Sequence, residues 1–121
     1  MWMDEAVAEQ FARSWYEAWN ANELERILGL YADDVELTSP LVSALAGNAG
    51  GKLVGKAALR DYFAAGLERY PGLRFEPRAL FVGVDSLVLH YISANGQLAA
   101  EVVFLNEEGK ISRYSAHYAS A

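Results

Sequence analysis

The 121-residue chain contains no cysteine, which excludes disulfides, thiolate metal sites and a cysteine nucleophile. It is also poor in positive charge: ten Lys and Arg stand against sixteen Asp and Glu, for a net charge of −6. Because no basic cluster is present, binding to nucleic acid or to an anionic membrane surface is not expected. No apolar run approaches the roughly 18 residues of a membrane span. Small molecules and other proteins, including a second copy of this chain, remain as partners.

The first residues, Met1 to Ala6, are acidic and lack the basic start and apolar run of a secretion signal. The absence of cysteine also suits a reducing compartment, so we predict a cytoplasmic protein. A chain of this length forms one domain that buries roughly two thirds of its unfolded surface. With no linker and no repeat in the sequence, a single domain over residues 1–121 is expected.

Helical spacing of apolar residues marks the first half of the chain. It predicts helices over residues 4–20 and 56–69 and, between them, a helix whose apolar stripe runs from Leu24 to Tyr31. Asn22 is expected to cap this middle helix, with Glu25 three residues later as in a capping box.

The second half of the chain reads as strands. Strands are predicted over residues 35–39, 73–83, 84–94, 98–106 and 110–119. A glycine-containing segment, residues 41–52, is expected to be a mobile loop. Helices followed by a meander predict an α+β domain, in which three helices from the N-terminal half pack on the concave face of a bent antiparallel sheet.

The predicted hairpin of residues 84–106 carries His90 and Glu101 on otherwise apolar strands. Read as a two-residue type I′ turn, Asn95-Gly96 places these two side chains directly opposite each other, with β-carbons about 4.5–5.5 Å apart. Burial raises the pKa of a carboxyl and lowers that of histidine, whereas mutual attraction does the opposite. Either balance leaves a group able to move a proton near neutral pH. The alternative is a structural pair that only fixes the register.

Two segments, Trp15 to Pro40 and Gly55 to Phe63, resemble the nuclear transport factor 2-like superfamily and its SnoaL-like branch, which is related to polyketide cyclases and ketosteroid isomerase. The resemblance implies a cone-shaped fold around an apolar pocket that opens near residues 41–52. It also implies a homodimer formed through the outer face of the sheet, which is too apolar to face water.

Ketosteroid isomerase is the most informative of these relatives. Its general-base aspartate falls on Ser39, and its oxyanion-stabilising tyrosine falls on Trp15, one position from Tyr16. Its neutral, proton-donating aspartate falls on Glu101. Because the base is lost, the resemblance argues against steroid isomerisation by the same mechanism. It does place Glu101 toward the cavity, with His90 at a pocket-lining position.

These arguments select the candidate site residues. Glu101, His90 and Tyr16 are the catalytic candidates. The expected ligand-binding residues are Trp15, Trp19, Ser39, Phe63, Val88, Ile92, Val103, Tyr114 and Tyr118. A bulge near the turn at residues 107–109 would instead turn Ser115 and His117 inward.

His117 together with His90 and Glu101 would supply two histidines and a carboxylate, which suffice for some metals. The sequence has no local ligand-spacing motif, however, so neither a metal nor a cofactor is expected.

Two functions are compatible with this reading. The first is acid–base chemistry of an isomerase, cyclase or dehydratase on a small apolar carbonyl compound. Glu101 and His90 would exchange the proton, and Tyr16 or Tyr114 would orient the substrate oxygen. The second is a non-catalytic, dimeric ligand-binding or assembly domain, in which the His–Glu pair is structural.

Overall fold

A computed structural model describes residues 3–42 and 50–120. The helices are α1 (Glu5–Asn20), α2 (Leu24–Leu28) and α3 (Lys56–Arg69). The strands are β1 (Tyr31–Thr38), β2 (Lys52–Val54), β3 (Glu76–Val82), β4 (Ser86–Ile92), β5 (Leu98–Leu105) and β6 (Ile111–Tyr118). The predicted fold class, a bent sheet with three helices packed on it, is confirmed. Most of the predicted loop over 41–52 lies outside the described residues.

The six strands form one sheet in the order β2-β1-β6-β5-β4-β3. Neighbouring strands are antiparallel except for β1 and β6, which are parallel. The sequence did not indicate this pair, because β1 and β6 are separated by α3 and the meander from β3 to β5. It also did not indicate β2, which is three residues long and follows the glycine-containing segment.

Helix α1 begins and ends close to where its apolar period predicts. The Asp4 carboxylate caps it, since Oδ1 accepts from the backbone N–H groups of Ala6 at 2.8 Å and Val7 at 3.3 Å. The face of the helix that packs on the sheet is apolar and buried. It consists of Ala8, Phe11, Ala12, Trp15, Ala18 and Trp19.

The predicted cap at Asn22 and the helical assignment of Tyr31 are wrong. Asn22 adopts a left-handed conformation with φ 57°, and its Nδ2 donates to the Trp19 carbonyl at 3.0 Å and to the Leu73 carbonyl at 2.9 Å. It therefore ties the end of α1 to the segment before β3 instead of starting α2. Tyr31 begins β1, where its buried hydroxyl accepts from Trp15 Nε1 at 3.1 Å.

The predicted pairing of His90 with Glu101 is also wrong. In the sheet, His90 pairs with Ala100 and Leu89 pairs with Glu101. The cause is the turn: Gly96 N–H donates to the Ser93 carbonyl, Gly96 has φ 83°, and Ser93 N–H donates to the Gln97 carbonyl. This is a three-residue loop ending in a left-handed glycine, not a two-residue turn. Because a shift of one residue reverses the facing of side chains, His90 and Glu101 lie on opposite faces.

The buried side chains form one cluster between the helices and the inner face of the sheet. Trp15 is fully buried within it and stacks on Phe75 with ring centroids 5.5 Å apart. None of the helices in the described residues combines the length and hydropathy that a bilayer span requires.

Candidate functional site

A pocket opens between the inner face of the sheet and helix α3. It contains about 680 Å³ of empty space, a figure that includes the open mouth. Its wall is mostly aromatic and aliphatic. The lining residues are Trp19, Ser39, Leu41, Tyr62, Phe63, Gly66, Tyr70, Leu73, Phe75, Tyr91, Ser93, Ala94, Asn95, Glu101, Tyr114, Ala116 and Tyr118.

Glu101 is the one acidic side chain in this lining, and it is only 1% exposed. The Tyr91 hydroxyl donates to its Oε1 at 2.5 Å, while Oε2 has no hydrogen-bond partner among the described residues. Burial raises the pKa of Glu101 to about 8, against the smaller opposing effects of the Tyr91 and Tyr114 hydroxyls. The carboxyl is therefore mainly protonated at neutral pH.

Tyrosine hydroxyls surround this acid. Burial, followed by the negative charge that Glu101 would carry, raises the pKa of Tyr16, Tyr91, Tyr114 and Tyr118. These hydroxyls therefore keep their protons and act as neutral hydrogen-bond donors. No Lys, Arg or His is among the lining residues.

A second polar group of the wall is built on Ser39, directly after β1. Its backbone is held by a hydrogen bond from Ser39 N–H to the Gly51 carbonyl at 2.9 Å. Its Oγ accepts from the Tyr62 hydroxyl at 3.2 Å and from Leu41 N–H at 3.2 Å. Ser39 is 5% exposed, so this hydroxyl pair is almost wholly shielded from solvent.

Comparison with known protein families finds a match for this chain. A family model described as a SnoaL-like domain matches residues 12–114. The chain belongs to the SnoaL-like family. The SnoaL-like branch that the resemblance predicted is thus confirmed.

Solved structures agree with the family assignment. A SnoaL-like protein of unknown function from Burkholderia thailandensis is 40% identical, with a TM-score of 0.94 and coverage of 99% of this chain and 100% of that one. A putative isomerase of the SnoaL-like family from Agrobacterium tumefaciens is 20% identical, with a TM-score of 0.73 and coverage of 95% and 99%. The epoxide hydrolase/cyclase-like enzyme SalBIII, which has a role in pyran ring formation in the polyether salinomycin, is 20% identical, with a TM-score of 0.70 and coverage of 96% and 93%.

At 20% identity the likeness to the last two proteins shows the fold alone. No functionally curated protein matches this chain.

In the SnoaL-like fold of this chain, six of the predicted site residues lie on the pocket wall. They are Trp19, Ser39, Phe63, Glu101, Tyr114 and Tyr118. The wall thus brings together one predicted catalytic residue and five predicted ligand-binding residues.

Three other predicted residues lie elsewhere because of the hairpin register. His90, Val88 and Ile92 are on the outer face, where His90 Nδ1 lies 3.0 Å from the Ala99 carbonyl oxygen. Trp15 and Val103 face inward but are completely covered by the core and do not reach the pocket. The pairing of His90 with a pocket acid, the basis of the predicted proton exchange, is therefore absent.

Tyr16 lies on α1, half-buried and outside the pocket lining. Its ring meets Tyr91 edge-to-face at 5.9 Å between centroids, and its hydroxyl lies 3.5 Å from the His90 carbonyl oxygen. It contacts the residue that holds Glu101 rather than the space a ligand would fill.

The last strand contains the irregularity considered above, but the predicted facing of its tyrosines holds. Phe104 pairs with Arg113 and Leu105 with Ile111, so Ser112 is the extra residue of a bulge. Tyr114, Ala116 and Tyr118 consequently point inward, and His117 is exposed. His90, His117 and Glu101 do not converge, and no metal-holding group of three or more such side chains exists within 3–42 and 50–120.

Sequence reasoning missed three tyrosines of the pocket wall, Tyr62, Tyr70 and Tyr91. Tyr62 precedes the predicted Phe63 on α3, and both are buried. The predicted pairing of His90 with Glu101 would put the neighbouring Tyr91 on the opposite face from Glu101, whereas the observed register puts both on the inner face. The strict alternation of buried Leu87, Leu89 and Tyr91 is the signal that marks the inner face of β4.

Proposed function

We propose that this SnoaL-like protein binds a small, largely apolar carbonyl compound in the pocket and that Glu101 supplies a proton to the oxygen of this compound. One observation carries the proposal: a buried carboxyl on the pocket wall has one oxygen held by Tyr91 and the other without a hydrogen-bond partner in the described part of the chain. Because buried polar groups are nearly always hydrogen-bonded, Oε2 is suited to meet a ligand.

The chemistry that follows is acid catalysis of the isomerase, cyclase or dehydratase type. Glu101 donates its proton to a carbonyl oxygen as ring closure begins, or to a hydroxyl that leaves as water. The carboxylate then takes back a proton, which restores the acid: in ring closure from the carbon that has bonded to the carbonyl carbon, and in dehydration from the carbon next to the one that lost the hydroxyl. Tyr114, beside Glu101, would stabilise charge developing on the oxygen. The likeness to a putative isomerase and a cyclase-like enzyme supports this by fold analogy only.

The test is a thermal-shift screen with aromatic polyketides, steroids, terpenoids and short fatty acids, followed by turnover assays on any compound that binds. A ligand at 100 times its dissociation constant stabilises the fold by about 2.7 kcal/mol. Glu101→Gln is expected to keep the fold and abolish turnover. His90→Gln, on the outer face of the neighbouring strand, is the matched control and should retain turnover. Full activity of Glu101→Gln would remove Glu101 from the mechanism.

We also propose that two copies of the chain associate through the outer face of the sheet. The apolar side chains Phe81, Val88 and Val102 are directly paired in one row across β3, β4 and β5. Phe81 is 57% exposed, and a continuous apolar surface of this kind marks an interface. If no ligand is found, this assembly role is the alternative function.

A further inference from the structure

We infer that the ligand of the pocket is an uncharged molecule with two acceptor oxygens, one bound by Glu101 and the other by the Ser39–Tyr62 hydroxyl pair. This rests on the proposed function and names its substrate class. Each of these two groups of the wall is left with a hydrogen-bond donor, whereas the polar side chains of Ser93 and Asn95 bond each other, Ser93 Oγ donating to Asn95 Oδ1 at 2.6 Å.

At the first group, the hydrogen of the Tyr91 hydroxyl is committed to Glu101 Oε1 at 2.5 Å. The carboxyl is 1% exposed, and an ionised carboxylate at this depth would need a cation or several donors. The acid form instead carries its hydrogen on Oε2, which has no partner of normal hydrogen-bond geometry among the described residues. The Tyr114 hydroxyl lies near enough to lower the pKa of the carboxyl, and if Glu101 donates to it the hydroxyl hydrogen of Tyr114 is left for a ligand instead. This group therefore offers a donor to the ligand.

At the second group, Ser39 Oγ has both lone pairs engaged, by the Tyr62 hydroxyl and by Leu41 N–H, each at 3.2 Å. Its own hydrogen remains. If Ser39 Oγ donates to the Tyr62 hydroxyl instead, the hydroxyl hydrogen of Tyr62 is the one left without an acceptor. The Tyr118 hydroxyl also lies near Ser39. Burial raises the pKa of Tyr118, and the hydrogen bond with Ser39 opposes this with a smaller effect. If Ser39 donates to Tyr118, the hydroxyl hydrogen of Tyr118 is the one left over. Every arrangement leaves a donor facing the pocket.

Charge on the ligand is disfavoured in both directions. An anion finds no counter-charge, because the lining has no Lys, Arg or His and the sequence of residues 43–49 contains none either. A cation would find an acceptor only after Glu101 gives up its proton, and an ion pair at this depth costs the desolvation of both charges. A neutral ketone, ether or quinone oxygen satisfies both anchors, and its ring system matches the aromatic wall.

The test uses three naphthalene compounds and titration calorimetry on the wild-type chain at about pH 6.5, below the pKa of Glu101. They are 2-acetyl-6-methoxynaphthalene (two acceptors), 2-acetylnaphthalene (one acceptor) and 6-methoxy-2-naphthoate (an anion). One added hydrogen bond predicts that the first binds about fivefold more tightly than the second. The naphthoate should bind at least about tenfold more weakly than the first, since nothing compensates its desolvation.

Ser39→Ala should abolish the advantage of the methoxy ketone without changing the affinity for 2-acetylnaphthalene. Thr38→Val is the matched control, because the Thr38 hydroxyl bonds Ser115 Oγ at 3.0 Å on the outer face. If Ser39→Ala does not fold, the wild-type comparison of the two ketones decides alone. Equal affinities of the ketones, or tight binding of the naphthoate, would overturn the inference while leaving the proposed function standing. If none of the three binds, the inference falls, and the wider ligand screen decides the proposed function separately.

Discussion

At the scale of single residues, Glu101 dominates the electrostatics of the protein. An acid enclosed by tyrosines and apolar side chains favours its neutral form, because no cation among the lining residues compensates the desolvation of its charge. The same burial that makes it a proton donor at neutral pH makes it a source of instability at alkaline pH. This coupling is measurable without knowledge of the ligand.

We predict that the unfolding free energy of the wild type falls between about pH 4.5 and pH 8 relative to that of Glu101→Gln. Burial raises the pKa of Glu101 from 4.5 to about 8, so the folded state holds a proton that the unfolded state has released in this interval. Stability therefore decreases as pH rises, by up to about 1.4 kcal/mol per pH unit, and levels off above pH 8. Urea unfolding of both proteins across this range measures the effect.

The exposed carboxylates are common to the two proteins, so their titration cancels in the difference. Glu36→Gln is a useful control: its carboxylate, on the outer face, pairs with Lys52 at 2.7 Å, which lowers its pKa. Glu36→Gln should therefore still show the fall in unfolding free energy at alkaline pH that Glu101→Gln removes. Parallel stability profiles for wild type and Glu101→Gln would show that Glu101 is ionised in the folded protein at neutral pH.

Resemblance to relatives predicted single residues of the site better than local pattern did. It placed Ser39, Glu101 and Tyr114 toward the cavity, and these residues line the pocket. The pairing of His90 with Glu101 came from local turn chemistry, which was one residue in error. When both faces of a strand are apolar, the local sequence does not show which face a given side chain occupies.

At the scale of elements, long periodic segments were predictable and connections were not. Helices α1 and α3 and the four strands of the meander lie within two or three residues of their predicted bounds. The connection from α1 to α2 was predicted wrongly. Asn22 precedes a helix, but its side chain donates to carbonyl groups instead of accepting from N–H groups at the helix start. Asparagine serves both roles, and only the neighbouring segment at Leu73 decides between them.

We predict that Asn22→Ala destabilises the fold more than Asn22→Gly, by roughly 1 kcal/mol. Both variants lose the hydrogen bonds to the Trp19 and Leu73 carbonyls. Only alanine also resists the left-handed backbone, where Asn22 has φ 57°. Denaturant unfolding of the two variants measures the difference. Equal stabilities would mean that the side-chain hydrogen bonds, not the backbone conformation, determine the preference for asparagine.

At the scale of the whole molecule, the two faces of the sheet have different roles. The inner face supplies the core and the pocket. On the outer face, the apolar row of Phe81, Val88 and Val102 gives way to polar side chains on β6, β1 and β2, including Arg113, whose guanidinium lies 4.2 Å from the Phe104 ring centroid. An apolar centre beside a charged margin is the pattern of an interface core with its rim.

The proposed dimer therefore predicts that Val102→Asp converts the protein to a monomer in sedimentation velocity runs. A two-fold axis through this face would bring two buried aspartates together, and burial without a partner opposes their charge. Val7→Asp is the matched control, because Val7 is 56% exposed on α1, away from this face, and its replacement should leave the dimer intact. Val102 points away from the pocket, so ligand affinity should survive the change.

A wild type that sediments as a monomer at every concentration would refute the interface, whereas a dimer that persists in Val102→Asp would place the interface on another surface.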